Sequence, residues 1–521
     1  MITEDQSRVV TYLSSPAAHA GAAVERIDTH ASLVFLAGDR AWKLKRAVRY
    51  DYLDYSTADR RRAMCEAEVR INRRTAPAIY RGVTAVTERA DGSLSIGGDG
   101  MPVDWLVEME RFDQDSVLDR LADAGLLPLR LMRPLAHAIA KFHHAAEGRV
   151  NHGGWDAMRR VIDGNAAGFA EDGAGILEPI QCARLTNRAR FVLDRNGVLL
   201  DQRRDDGFVR HCHGDLHLRN IVLLAGQPTL FDAIEFNDDF SSIDVLYDLA
   251  FLLMDLWRLE LPHHANMVWN SYLAETADLD GLSLMPLFMS CRAAVMAKTT
   301  ATSANMQTDE GRRLELRALA NTYLAMADAL LEPPAARVIA VGGLSGSGKS
   351  TVAMDLAPAL GPAPGAVVIR SDEIRKRLSG VQPLDRLGPE GYTDDMSRRV
   401  YHALMEETDK VVRAGYTAIA DAVFAQPAER DAVQHVAAAA GVPFVGLWLE
   451  APESVRISRV AARGSDVSDA DFDVIRRQLA YQLDSLRWHR LDASGTRQQV
   501  GDACAAVAGN ARSDCATSAG P

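Results

Sequence analysis

Cysteine is scarce in this chain and never paired. The six thiols in 521 residues (Cys65, Cys182, Cys212, Cys291, Cys504, Cys515) show no spacing that frames a disulfide scaffold or a zinc site. Long apolar runs are also missing. No stretch reaches the roughly 18 residues of a membrane span, because Asp248, Asp255, Arg292 and Gln434-His435 interrupt the longest ones. Positive charge falls short as well: 58 Lys+Arg stand against 70 Asp+Glu, a net charge of −12. That balance argues against broad nucleic-acid binding, which needs a basic face, and leaves room for a cationic substrate. Met1-Ile2-Thr3-Glu4-Asp5 carries acid where a secretory leader carries base. Internal repeats and low-complexity tracts are absent. These absences predict a reduced, cytoplasmic protein without membrane or nucleic-acid partners and leave its oligomeric state open.

What is present is an ordinary globular composition, 47% hydrophobic and 25% charged, long enough for roughly two to four domains. Glu332-Pro333-Pro334-Ala335-Ala336 forbids helix continuation and reads as a linker. The expected organisation is therefore a domain over 1–332, a linker over 333–336, a second domain over 337–504 and a flexible tail over 505–521. The first domain opens with strands at 33–36 and 41–44 and a helix over about 59–74, striped by Met64, Ala67 and Ile71; helices dominate after Asp244. This is an α+β pattern. The second domain alternates short strands with helices, which predicts an α/β fold with a parallel sheet.

Gly343-Leu344-Ser345-Gly346-Ser347-Gly348-Lys349-Ser350 satisfies G-x-x-x-x-G-K-[ST] between a strand at 338–341 and a helix from Ser350 or Thr351. Glycines let backbone N–H groups wrap phosphate oxygens, and the helix N-terminus adds partial positive charge. Lys349 neutralises the β- and γ-phosphates and the Ser350 hydroxyl reaches Mg²⁺. The candidate nucleotide ligands are thus Gly343, Ser345, Gly346, Ser347, Gly348, Lys349, Ser350 and Thr351. Open α/β sheets build sites at strand carboxyl ends, which singles out Asp372 as acceptor of a hydroxyl proton and Asp421 as a Mg²⁺ ligand. The competing readings are a helix N-cap for Asp372 and a turn residue for Asp421. Arg456, Arg459 and Arg463 follow on one helix; Arg459 and Arg463 are candidate phosphate contacts, against the alternative of a solvated basic face.

Residues 337 to about 500 resemble the small P-loop kinases that phosphorylate metabolites or polynucleotide ends, including gluconate-kinase-like and zeta-toxin-like enzymes. The likeness rests on the 343–350 loop, Ser371-Asp372-Glu373-Ile374-Arg375, Ala420-Asp421-Ala422 followed by Arg430, and the arginines before Ser468-Asp469-Ala470. It implies kinase chemistry, with Asp372 at the acceptor hydroxyl and Arg375 on the acceptor or its phosphate.

In the first half, His213-Gly214-Asp215-Leu216-His217-Leu218-Arg219-Asn220 precedes two apolar runs that read as a hairpin, the second leading to Asp232. A hairpin returns the chain to its start, so Asn220 and Asp232 meet at its open end. Two oxygen ligands placed so suit Mg²⁺, and Asp215 lies within reach of a substrate hydroxyl. A metal cluster of His211, Cys212, His213 and His217, or a structural loop, are the alternatives. The region over 25–330 resembles the aminoglycoside phosphotransferase-like (choline-kinase-like) branch of the protein-kinase fold. That resemblance implies Asp215 as catalytic aspartate, Asn220 and Asp232 as Mg²⁺ ligands, Lys43 as the phosphate lysine with Lys45 competing, and Glu68 as its partner. Departures from the branch are clear. No G-x-G-x-x-G precedes Lys43, so Thr29-His30-Ala31-Ser32 takes the covering position. Asp232 is followed by Ala233-Ile234-Glu235, with Glu235 a further candidate metal or acceptor contact.

The order of the halves resembles a bacterial family described as bifunctional aminoglycoside phosphotransferase/ATP-binding proteins, on Tyr52-Leu53-Asp54-Tyr55-Ser56-Thr57 and on 230–237. The expected protein is an ATP- and Mg²⁺-dependent phosphotransferase with two nucleotide sites and a small-molecule hydroxyl acceptor. The rival expectation is a regulatory ATP-binding protein in which one domain, the first by preference, senses nucleotide without catalysis.

Overall fold

The computed structural model describes residues 3–50, 52–382, 385–461, 476, 478 and 486–510. The chain forms two compact units, Met1–Gly164 with Leu193–Asp255, and Asn165–Val192 with Leu256–Pro521.

In the first unit, alternation along the strands buries both faces of one sheet. Leu33, Phe35 and Leu44 face a cluster with Val9, Leu13, Val86 and Leu106, while Leu36 and Ala41 face Cys65, Val69, Val107 and Met109. The sheet has six antiparallel strands in the spatial order Val24–Asp28, Ser32–Ala37, Arg40–Lys45, Met101–Glu110, Tyr80–Glu88, Leu94–Ile96. Helix Ala58–Asn72 starts where the Thr57 hydroxyl accepts the Arg60 N–H, and it supplies Cys65 and Val69 to the second cluster. Its deepest face differs from the expected stripe. Arg61, Cys65, Glu68 and Asn72 are fully buried, because each polar member finds a partner: Arg61 forks onto Asp104 at 2.8 and 3.0 Å. Helices also begin earlier than expected, with Met132–Ala145 and Gly197–Asp205 preceding Asp244. The hairpin pairs Ile221–Leu224 with Gln227–Leu230 in antiparallel register from Ile221↔Leu230.

The second unit holds a five-stranded parallel sheet ordered Val367–Arg370, Ala418–Asp421, Val338–Gly343, Phe444–Glu450, His489–Asp492. Parallel strands covered on both faces read as continuous apolar runs, and Val338–Gly343 is buried throughout. The first residues of the expected tail, 505–510, are helical; the rest of it lies outside the described residues. Arg497–Asn510 is a helix that buries Val500, Cys504 and Ala508, and Arg337 donates to the Ala508 carbonyl at 2.8 Å.

The linker at 333–336 lies inside this second unit, and the unit's edge shows why the preceding helices belong to it. Val367–Arg370 pairs with one neighbour only, which leaves backbone groups of its other side unpaired. Helix Pro262–Thr276 supplies the missing partners. Asn270 accepts the Val368 N–H at 2.7 Å and donates to the Ala366 carbonyl at 3.1 Å; Asn266 donates to the Pro364 and Ala366 carbonyls at 3.1 Å each. Two asparagine amides thus stand in for a sixth strand. Asn270→Ala is expected to cost about 1–3 kcal/mol by leaving the buried Val368 N–H unmet, while Asn266 keeps the Ala366 carbonyl. Thermal unfolding of the full chain checks this, and an unchanged melting temperature would refute it.

Candidate phosphate-binding sites

The first site is built by strand Arg40–Lys45, where Lys43 and Lys45 project from one face two residues apart. Helix Ala58–Asn72 brings Glu68 between them. Lys43 Nζ donates to Glu68 Oε1 at 2.9 Å and Lys45 Nζ to Glu68 Oε2 at 2.6 Å. The competition between the two lysines is resolved by their second partners. Lys43 reaches Asp232 Oδ1 at 2.6 Å, whereas Lys45, 1% exposed, pairs with Glu235 and donates to the Tyr55 hydroxyl at 3.3 Å. Glu235 is therefore engaged by Lys45 and Tyr55 and does not face outward as a metal or acceptor contact. Burial alone would lower the Lys43 ammonium, but Asp232 and Glu68 hold it well above the ordinary lysine value. Burial likewise opposes the Glu68 carboxylate, and the two lysines overcome it, holding the group down to about 2.

The loop after strand Val209–His211 carries Asp215 and Asn220. Asn220 Nδ2 donates to the Asp215 carbonyl at 3.0 Å and to its Oδ2 at 2.8 Å, which leaves Asn220 Oδ1 as an acceptor. Phe231 N–H donates to the Asn220 carbonyl at 3.0 Å, so the hairpin does bring Asn220 beside the residue preceding Asp232. Asp248, expected from the sequence to brace the helical lobe, braces the loop: its carboxylate accepts the N–H of His213 at 3.1 Å and of Gly214 at 2.8 Å. The four-residue metal grouping does not form. Cys212 instead lies with His143 and Asp248, and that carboxylate is already taken by the loop and by His143 at 3.1 Å. The turn at 29–32 closes on itself, with Thr29 N–H donating to the Ser32 carbonyl and Ser32 N–H to Thr29 Oγ1, both at 2.9 Å.

The second site lies at the carboxyl edge of the parallel sheet. Gly348 adopts φ 96° and caps helix Lys349–Leu356, in which Ser350 and Thr351 fall on the first turn. Gly346 adopts φ 82°, and a side chain there would come within 2.7 Å of the Arg456 carbonyl oxygen. The loop therefore fits against the arginine helix Glu453–Ala461 only as glycine. Ser347 Oγ is buried without a hydrogen-bond partner among the described residues, and Lys349 Nζ rests on the Leu344 carbonyl at 3.4 Å. Arg459 is spent on backbone, donating to the Ser347 carbonyl at 3.3 Å and to Gly495 at 3.1 Å. Arg456, 3% exposed, keeps Nε and one terminal nitrogen buried without a hydrogen-bond partner among the described residues. Arg463 lies outside the described residues. Asp421 accepts from the Ser350 hydroxyl and stands 3.5 Å from Arg370; burial pushes its carboxyl up, against Arg370 and Lys349. Asp372 sits in the first turn of helix Ser371–Leu378, whose N-cap is Arg370, and its charge reaches Asp421. An orphaned hydroxyl, an orphaned buried guanidinium and a glycine-shaped loop fit an oxyanion ligand.

Residues 338–488 match the family model described as AAA domain. The fold is an α+β unit followed by an α/β unit that carries the phosphate loop. Uncharacterized proteins of Mycobacterium tuberculosis and Mycobacterium bovis are each 29% identical over 486 residues, covering 91% of this chain and 94% of theirs. Similar over a shorter stretch is an adenylyl-sulfate kinase of Myxococcus xanthus, 32% identical over 120 residues, 22% of this chain and 59% of that one. Among solved structures, choline kinase from Cryptosporidium parvum is 10% identical, covering 60% of this chain and 89% of its own, with a TM-score of 0.40. No helix among the described residues is long and apolar enough to cross a membrane.

The Glu68 network makes a signed prediction about acid. A carboxylate held below its unfolded value stabilises fully above that value, near 4.5, and loses the contribution as pH falls toward about 2. Glu68→Gln should destabilise the protein by about 3–5 kcal/mol at pH 7. The gap to the unaltered chain should narrow below pH 4.5, as followed by chemical unfolding at stepped pH. A gap independent of pH would refute the assignment.

Proposed function

We propose that the protein is an ATP- and Mg²⁺-dependent phosphotransferase with two nucleotide sites, each passing the terminal phosphoryl group to a hydroxyl of a small-molecule acceptor. The observation that carries the reading is Lys43 held between Glu68 and Asp232, with the Asp215–Asn220 loop tied to the same hairpin. A cation, hard oxygen donors and a further carboxylate then occupy one place, which is what phosphoryl transfer needs. In the second unit Lys349, Ser350, Asp421 and Asp372 supply the same set, and the likeness to an adenylyl-sulfate kinase supports the reading there.

The residues divide the work as follows. Lys43 releases Asp232 and holds phosphate oxygens, while Glu68 keeps its ammonium in place. Asn220 Oδ1 and Asp232 would hold Mg²⁺ in the first site, and Ser350 and Asp421 in the second; the ion supplies charge neutralisation of the phosphate oxygens. Asp215 and Asp372 each accept the proton of the attacking hydroxyl as its oxygen bonds to the γ-phosphorus and the β–γ bridging oxygen leaves with ADP. Backbone N–H groups from Gly346 to Thr351 cradle the phosphates in the second site, with Arg456 close to the loop.

Labelled ATP with Mg²⁺ and pooled acceptors tests this. Asp215→Ala is expected to remove the product of the first site by about a hundredfold or more, and Lys349→Ala that of the second. Transfer that survives both changes would defeat the assignment of both sites. Nucleotide uptake with no acceptor ever phosphorylated would favour the sensor instead.

A further inference from the structure

One contact in the second site is invisible to the phosphate-loop motif. Gln478, 5% exposed, meets Ser345 from 133 residues away in sequence. The Ser345 N–H donates to Gln478 Oε1 at 2.7 Å, and Gln478 Nε2 donates to Ser345 Oγ at 2.9 Å. A backbone N–H can only donate, so the amide orientation is fixed by that first bond. The second bond then has a consequence for the hydroxyl. Its oxygen receives a hydrogen from the amide, so its own proton turns away from Gln478, and that proton meets no acceptor among the described residues.

We infer that Gln478 is a positioning residue which aims the Ser345 hydroxyl at a terminal phosphoryl oxygen of a bound nucleoside triphosphate. This rests on the reading of 343–350 as a nucleotide site. The helix N-terminus at Lys349 and the residues just before it take the inner phosphates. Ser345, earlier in the loop and beyond Gly346, is placed for the outer one. Gln478 also ties down the Ser345 peptide, so the donor is aimed before the ligand arrives and little is lost in ordering it. Glutamine suits the task because one amide both accepts from the peptide and donates to the hydroxyl. A carboxylate would take the hydroxyl proton for itself.

Calorimetry on the full chain with Mg²⁺ tests this by comparing ADP with the β,γ-imido analogue of ATP. Ser345→Ala and Gln478→Met are each expected to weaken the analogue by about tenfold, the scale of one hydrogen bond to a charged oxygen, with ADP changed less than about twofold. The double variant should be no weaker than Ser345→Ala, since Gln478 acts through that hydroxyl. Gln478→Glu should be at least as weak as Gln478→Met. Equal losses for ADP and the analogue, additive losses, or no loss would each overturn the inference. If Gln478→Met does not fold, Ser345→Ala still separates the two ligands, because it removes the hydroxyl alone. Lys349→Ala keeps the levels apart. If the unaltered protein takes up neither ligand, or Lys349→Ala binds as well as it does, the nucleotide reading itself fails. If uptake depends on Lys349 and not on Gln478 or Ser345, only the present inference falls.

Discussion

One carboxylate, Glu68, shared by two buried lysines, organises the first unit. Two ammonium groups taken out of water need more negative charge than one carboxylate holds, and the attraction repays desolvation only when every member is met. Asp232 and Glu235 complete the set, and together they oblige the chain leaving the hairpin to return to the sheet. Three carboxylates then face two lysines, leaving one negative charge in excess. Under the proposed function that excess is what a divalent cation would offset, and Lys43 is the member that would change partners. It is less buried than Lys45, and its second contact is the carboxylate proposed for the metal. Lys45 is locked by Glu235 and Tyr55, so the pair acts as one fixed and one exchangeable cation.

Much of this was legible in the sequence, and the reason lies in how local each signal is. The phosphate loop is eight consecutive residues, so strand, turn and helix could be placed from them alone. The hairpin was readable because a turn fixes its own register, which brought Asn220 toward Asp232. Glu68 came from the family resemblance, which implies a glutamate on the helix that follows the strand lysine. What escaped was long-range. Asp248 reaches the His213 amide across 35 residues and Asn270 reaches Val368 across 98, with nothing near either asparagine or aspartate to announce it. The helix stripe was incomplete for a related reason: Ala67 and Ile71 are buried as expected, but apolar periodicity does not register Arg61 or Glu68 as inward-facing, since their burial depends on Asp104, Lys43 and Lys45 elsewhere in the chain.

Both units also hold a backbone conformation that side chains avoid at or near the aspartates proposed to hold the metal. Asp232 itself adopts φ 61°, and Phe424, three residues after Asp421, adopts φ 53°. Such positions cost of order 1–3 kcal/mol and persist only where surroundings over-determine them. In each case a tyrosine hydroxyl does so: Asp232 N–H donates to Tyr80 Oη at 3.1 Å, and Phe424 N–H to Tyr401 Oη at 2.9 Å. Arg430 adds a second hold, donating to the Phe424 and Ala425 carbonyls at 2.9 and 2.8 Å. Burial raises both tyrosines well above their ordinary range, so the hydroxyls remain neutral at any physiological pH. A neutral hydroxyl accepts the strained amide without adding charge beside the carboxylate. The bend at each site is therefore fixed by a residue outside its motif.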